Sequence, residues 1–551
     1  MVGKRAREDE VDNQKPPLKR VRALTTDHLS RLSDELTLRV LSFLSTSQLV
    51  KCQRLSHKFH VLAGDSQLWK SLYYNRFVRP RASRLPGIKD LDQSSSNLHF
   101  ASKASRWLDD EHLVKGGRKT NWKRQYKLHH NWSKGSCAVD EIEVAEQATV
   151  PPLVVQLHDG IIYMADQDSL RAWSAKVERQ LVAQMSFAGS RRGPPTSLAV
   201  DTSEGQVATS RLVIGFEDGS HGLFSLDHEA GRFKVVYRHQ ASSNGVVSAV
   251  AITWPYVVTM TATQLLSIYS FESRSGDDPG ADNPCPPRLL HSLRSRTVLP
   301  PLSTSLRVAE SNIVVSIAYS MPTYLSGWTV GIQEVRIDPS GKLLESRLAS
   351  AIDQHYRSLA FASPPMMHHL PGPAIGALAT PTATEFRHIH TKPTSLSYTH
   401  PYLLVSHPDN TLTLYLVTST ADMLTISAGS RLWGHTSSVS GAHVGGRGKA
   451  VSVSRRGDEL RIWELEGGFA SIAAKRRLAT GDMSVQLRPE KRPTAEPSQA
   501  GLDVVKQAAG ADEDASELTL SRGWIGFDDE NVVVLKEQSQ GRQALVVYDF
   551  T

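Results

Sequence analysis

Few residues in this sequence combine a type and a spacing that could do chemistry. The densest metal-like group is His388-Ile389-His390, whose two imidazoles would share a strand face, with His368-His369 nearby. Imidazole pairs suit zinc, but these stand in a Pro- and Thr-rich stretch, so a solvent-exposed loop is expected and no metal site. No G-x-S-x-G elbow, phosphate-binding G-x-x-x-x-G-K-[ST] loop, H-E-x-x-H pair or dinucleotide G-x-G-x-x-G after a strand occurs. The sequence therefore names no catalytic residue and implies no cofactor, and the expected function is recognition rather than catalysis. Cys52, Cys137 and Cys285 are far apart and form no C-x-x-C, so neither a disulfide framework nor a zinc knuckle is indicated.

Charge narrows the partners. A net charge of +7 over 551 residues is modest. Basic and aromatic side chains interleave in Asn121-Trp122-Lys123-Arg124-Gln125-Tyr126-Lys127-Leu128-His129-His130-Asn131-Trp132. Such a run could stack on bases and neutralise phosphate, but a nucleic-acid partner is not expected. No stretch reaches the roughly 18 to 20 apolar residues needed to span a bilayer, and the charged first residues do not read as a secretory signal, so no membrane partner is expected. Residues 1–27 read as a disordered basic tail. Within it Lys19, Arg20 and Arg22 form a cluster suited to a nuclear import signal, which predicts a nuclear or nucleocytoplasmic protein.

From Leu32 to Leu72 the apolar residues take a helical period, with Leu36, Val40, Leu41 and Leu44 at the spacing of one helix face and Ser33 placed to cap it. Leu49, Cys52 and Leu55 follow a Ser-Thr-Ser break, Phe59 and Leu62 follow those, and Leu68, Trp69 and Leu72 begin after Gly64-Asp65. Three or four short helices in so little chain gain stability by packing on a partner. The string LSDELTLRVLSFLSTSQLVKCQRLSHKFHVLAGDSQLWKSL resembles the F-box family in length, hydrophobic spacing and its closing Asp-x-x-Leu-Trp. It departs from the family at Ser33, where Pro is usual, and at Phe59, where Trp is common. The resemblance implies an F-box over residues 28–78 that docks on the Skp-type adaptor of a cullin ubiquitin ligase, with Leu32, Leu36, Val40, Leu41, Leu44, Leu49 and Leu55 as contacts. The alternative is that some of these fill the module's own core.

Residues 79–150 read as a connector. Its later part is similar to the W-K-x-x-Y-x-L-x-H-N-W segment that precedes the propeller in F-box and WD-repeat proteins, which implies that Trp122, Tyr126 and Trp132 anchor a helix between two domains. After residue 150 the period shortens, and apolar strand pairs recur across Asp-, Gly- or Asn-containing turns at 161–174, 211–227, 256–271, 312–335, 402–417, 450–466 and 524–550. Seven hairpins at near-regular spacing predict an all-β propeller of seven WD-repeat-like blades over residues 151–551, with insertions at 272–288, 338–392 and 485–518. The last strand, ending Tyr548-Asp549-Phe550, could close the ring with a strand from just before residue 160.

One blade carries a WD-repeat signature, Gly434-His435 leading to Trp463-Glu464, with Glu464 where the family has Asp. The resemblance to F-box/WD-repeat proteins implies a substrate receptor of a Skp–cullin–F-box ligase whose propeller holds a target, in some cases phosphorylated, with Arg455 and Arg456 placed to hold phosphate. A nuclear scaffold without a ligase role is the alternative.

Overall fold

The computed structural model describes residues 32–79 and 120–146, and between 152 and 551 all but short breaks and the stretches 272–285, 352–390, 466–475 and 491–517. The basic tail with Lys19, Arg20 and Arg22, and the His368-His369 and His388–His390 groups, lie outside the described residues. Two compact units are distinguished, a helical one reaching Tyr126 and a β unit continuing from Lys127.

The helical unit holds α1 (Asp34–Leu41), α2 (Thr46–Cys52), α3 (His57–Leu62) and α4 (Ser66–Tyr73), which runs on into a π-turn at Tyr74–Val78. Three of these helices, α1, α3 and α4, start at a side chain that satisfies free N–H groups of the first turn. Ser33 Oγ accepts from Leu36 N (3.4 Å), Ser56 Oγ from Phe59 N (3.3 Å), and Asp65 Oδ1 from Gln67 N (2.9 Å) and Leu68 N (3.2 Å). At α2 the Gln48 side chain reaches back to Ser45 N (2.9 Å). Leu41, Leu49, Leu62, Ala63 and Leu68 form the core, and Trp69 closes it by donating Nε1–H to Ala63 O (2.8 Å). The first part of α5 (Trp122–Lys134) supplies Trp122 and Tyr126 to a second cluster with Trp69 and Tyr73.

In the β unit seven sheets follow one another. Blades 1 to 6 occupy residues 154–186, 195–239, 247–294, 299–350, 395–433 and 439–486, and blade 7 is built on 525–549. Their first strands neighbour one another in order, and Ile525–Phe527 neighbours Val154–His158, so the ring is closed. Seven apolar clusters, one at each junction of consecutive blades, hold it. The chain thus folds as a small helical module followed by a seven-bladed β-propeller, and every expected hairpin forms the middle of a blade.

The ring closes through Ser136–Ala145, which pairs antiparallel with Gln543–Asp549 as Val139↔Tyr548 and Ile142↔Leu545. That strand lies inside the expected connector, so the propeller begins earlier than residue 151. Its polar look has a cause: Cys137, Ile142 and Val144 are buried while Glu141 and Glu143 face solvent. The insertion bounds need the same correction, since Leu343–Ser350 is the outer strand of blade 4, Arg288–Arg294 that of blade 3 and Ser484–Gln486 that of blade 6. Outer strands bury one face at most, and their sequences carry the charged residues that read as loop.

Candidate functional site

The helical unit carries the first candidate surface. Among the described residues its small core leaves six large apolar side chains exposed, Leu36, Val40, Phe43, Val50, Leu55 and Val61, from 48% at Val50 to 75% at Phe43. Leu36, Val40 and Phe43 recur at three- and four-residue steps and share a face of α1 and the turn after it. The Arg39 guanidinium lies 5.1 Å from the Phe43 ring centroid. Such a concentration of exposed apolar residues on so small a unit is a candidate docking surface.

The seven residues expected as adaptor contacts divide. Leu36, Val40 and Leu55 are exposed. Leu41 and Leu49 are 2% and 0% exposed and belong to the module's own core, against which Leu44 also packs. Leu32 is half-buried, and its carbonyl accepts from Lys58 Nζ (2.7 Å). Phe43, Val50 and Val61 join the exposed set although the helical spacing did not single them out. Apolar residues cover more than one face of α1, so spacing alone could not separate the inner stripe from the outer one.

The aromatic residues of α5 are not a nucleic-acid surface. Trp122, Tyr126 and Trp132 are all less than a tenth exposed. Within the helical unit, Tyr126 makes an edge contact with Trp69 at 5.4 Å. Within the β unit, Trp132 stacks on Phe550 at 4.1 Å and 13°, and its Nε1–H donates to Asp529 O (2.9 Å). Buried rings cannot stack on bases.

On the propeller, Arg455 and Arg456 are exposed in the turn between Lys449–Ser454 and Leu460–Glu464 of blade 6. Three backbone-anchored segments meet there. Arg455 N donates to Ser438 O (2.8 Å), Val439 N to Asp409 O (2.8 Å), and Asn410 Nδ2 to His435 O (3.1 Å). Trp433, 47% exposed, lies on the same connection beneath the Arg431 guanidinium (5.0 Å), and Arg431 is paired with Asp409.

Beneath this turn lies the network that the Gly-His and Trp signature builds. Trp463 Nε1–H donates to Ser452 Oγ (2.8 Å), and Ser452 Oγ lies 2.6 Å from His435 Nε2. Ser452 accepts from Trp463 and has its own proton to offer His435 Nε2, and His435 Nδ1 lies 3.5 Å from Glu459 Oε2. Glu459 also accepts from Thr436 N (2.8 Å), Thr436 Oγ1 (2.9 Å) and Arg461 Nε (2.7 Å). Burial opposes its ionisation, but these hydrogen bonds outweigh that and hold its carboxyl below the usual range. The acid of the network is therefore Glu459, at the start of the strand, and not Glu464. Among the described residues no group of three His, Cys, Asp or Glu side chains could hold a metal ion.

Comparison with known proteins agrees with this architecture. The family described as F-box protein pof12 beta-propeller matches residues 137–551, and an F-box-like domain matches residues 29–75. The chain belongs to that family of F-box proteins with a β-propeller. It is 31% identical over 105 residues to F-box protein dre-1 of Caenorhabditis elegans, covering 19% of this chain and 9% of that protein. It is 25% identical over 134 residues to an F-box protein of Saccharomyces cerevisiae, covering 23% of this chain and 21% of that protein. The chain thus spans only a small part of the length of both relatives. Among solved structures it is similar to the WD40 beta propeller domain of Doa1 (11% identity, 75% of this chain and 96% of that one, TM-score 0.33) and to Saccharomyces cerevisiae Sqt1 (9%, 76% and 98%, TM-score 0.37).

Proposed function

We propose that this protein is the substrate-recognition subunit of a Skp–cullin–F-box ubiquitin ligase. The observation that carries the reading is the set of exposed apolar side chains on the F-box-like unit, Leu36, Val40, Phe43, Val50, Leu55 and Val61. Covering them with a Skp-type adaptor removes apolar surface from water, each large side chain contributing on the order of 1.5–3 kcal/mol when fully buried. Leu41, Leu44 and Leu49 act indirectly, by holding the helices that present this surface. The adaptor brings the cullin, and the propeller brings a target. Ubiquitin transfer gains from the resulting effective concentration, and no residue of this chain makes or breaks a bond.

Arg455 and Arg456 are the proposed target contacts, since exposed guanidiniums on an anchored turn suit an acidic or phosphorylated segment. Lys19, Arg20 and Arg22 are the proposed nuclear-import residues, and the protein is expected in the nucleus. Replacing all three by Ala and following a fluorescent fusion tests this, with loss of nuclear accumulation expected. The test of the main reading is a pull-down of the full chain with a Skp-type adaptor, comparing wild type with the Leu36→Asp, Val40→Asp double variant. Burying two carboxylates in an apolar contact is costly, so binding is expected for the wild type and lost in the variant. Failure of the wild type to bind would replace this reading with that of a scaffold.

A further inference from the structure

Blade 5 has five strands where five of the blades have four. Its third strand, Thr411–Ser419, pairs with Ser430–Trp433 at one end and with Leu424–Ile426 at the other, so an extra hairpin projects from it. The hairpin end at Ser419-Thr420 meets a charged cluster on blade 4, built from Glu334 and Arg336 of its third strand, Arg347 of its outer strand and Arg307 of its first. There the fully buried Glu334 carboxylate accepts from Arg347 Nη2 (2.5 Å), Arg336 Nε (2.9 Å) and Ser419 Oγ (2.8 Å), with Arg307 Nη2 at 3.3 Å. The two strand arginines reach on to the hairpin, Arg336 Nη2 donating to Thr420 O (2.7 Å) and Arg347 Nη1 to the same oxygen (2.9 Å). Burial opposes ionisation of Glu334, but its hydrogen bonds from Arg347, Ser419 and Arg336 prevail and keep it charged.

This clamp stands at the junction where the connection between blades is unusually long. Blades 4 and 5 are joined through residues 351–394, whereas 187–194, 240–246, 295–298 and 434–438 suffice at four other junctions. The other long link, 487–524 between blades 6 and 7, has its own fastening, because Arg488–Glu490 pairs in parallel with Ser136–Ala138. Each long link therefore coincides with an added polar or strand contact beside it.

We infer that the blade 5 hairpin, gripped at Ser419-Thr420 by Arg336 and Arg347 around Glu334, is a latch that holds blades 4 and 5 together in place of a short connection. The ring then stays shut whether residues 351–394 are intact, bound or cut. A buried ion cluster adds little net stability compared with apolar packing, but breaking it by removing one partner is costly, which suits it to fixing one arrangement of two blades.

Two backbone amides report on separate junctions. Tyr398 N donates to Ser303 Oγ across the junction of blades 4 and 5 (3.0 Å), and Trp254 N donates to Asp201 Oδ1 across that of blades 2 and 3 (3.3 Å). The experiment is amide hydrogen exchange on the full chain in four forms: wild type, wild type cut at a protease site inserted after Gly372, Glu334→Gln, and Ser419→Ala. The latch predicts that cutting leaves exchange at Tyr398 unchanged, while either substitution speeds it about tenfold, the loss expected for one buried hydrogen bond, and leaves Trp254 unchanged. Faster exchange at Tyr398 on cutting alone, or unchanged exchange in the substituted chains, would overturn the inference. Should Glu334→Gln fail to fold, Ser419→Ala, which removes a single hydroxyl, decides by the same comparison.

Discussion

Leu36 and Leu41 stand five residues apart on one helix and have opposite duties. Leu41 is 2% exposed within a core of five buried side chains, so Leu41→Ala should cost about 2–5 kcal/mol, enough to unfold so small a unit; Leu36→Ala should shift stability by less than about 0.5 kcal/mol. Circular dichroism melts of the two variants check this. In blade 6, Ser452→Ala strands the buried Trp463 indole N–H and His435 Nε2 and should cost about 1–3 kcal/mol, read as a shift in the urea midpoint. Acid sensitivity follows from the carboxylates. Glu334 and Glu459 both have lowered pKa values in the folded chain relative to 4.5, so each contributes stability that is present above that pH and lost as pH falls through the lowered value. Glu459→Gln should therefore lower stability near neutral pH and flatten its decline in acid, measured by urea midpoints across that range.

At the scale of elements, the middle of each blade was legible because both faces of those strands are buried. Tyr256–Thr261 and Gln543–Asp549 are buried along their whole length and are mostly apolar, with Thr259, Thr261, Gln543 and Asp549 the polar exceptions. The outer strands were not legible. Leu343–Ser350 alternates half-buried with exposed residues, and Ser136–Ala145 sets Asp140, Glu141 and Glu143 among its apolar positions, so both resemble loop. Helix starts were legible where a cap is encoded locally, as at Ser33, but which apolar face of α1 turns inward depends on α2 and α3 packing against it. Of the caps, Asp65 accepts two N–H groups, and Asp65→Ala should cost about 1 kcal/mol, seen as a lower melting temperature of the helical unit.

At the scale of the whole molecule, the seven apolar junctions form a closed circuit, so the ring depends on its last seam. That seam is the Ser136–Ala145 strand, paired with Gln543–Asp549 and tied to blade 1 through Arg171 Nη1, which donates to Val144 O (3.1 Å), and through the Arg179–Asp140 ion pair. A chain beginning at residue 151 lacks the strand and leaves an unpaired edge, which invites aggregation; it should elute as larger species than one beginning at residue 120. On the proposed reading the F-box-like unit meets the ligase and the propeller meets the target. The most direct test is the affinity of the purified full chain for a Skp-type adaptor, measured by titration calorimetry for the wild type and for the Leu36→Asp, Val40→Asp variant. The ligase reading predicts a tight complex for the wild type and at least a hundredfold weaker binding in the variant, from about 3 kcal/mol of lost apolar contact, with the propeller's melt unchanged. A wild-type chain that does not bind, or a variant that binds equally well, would contradict it.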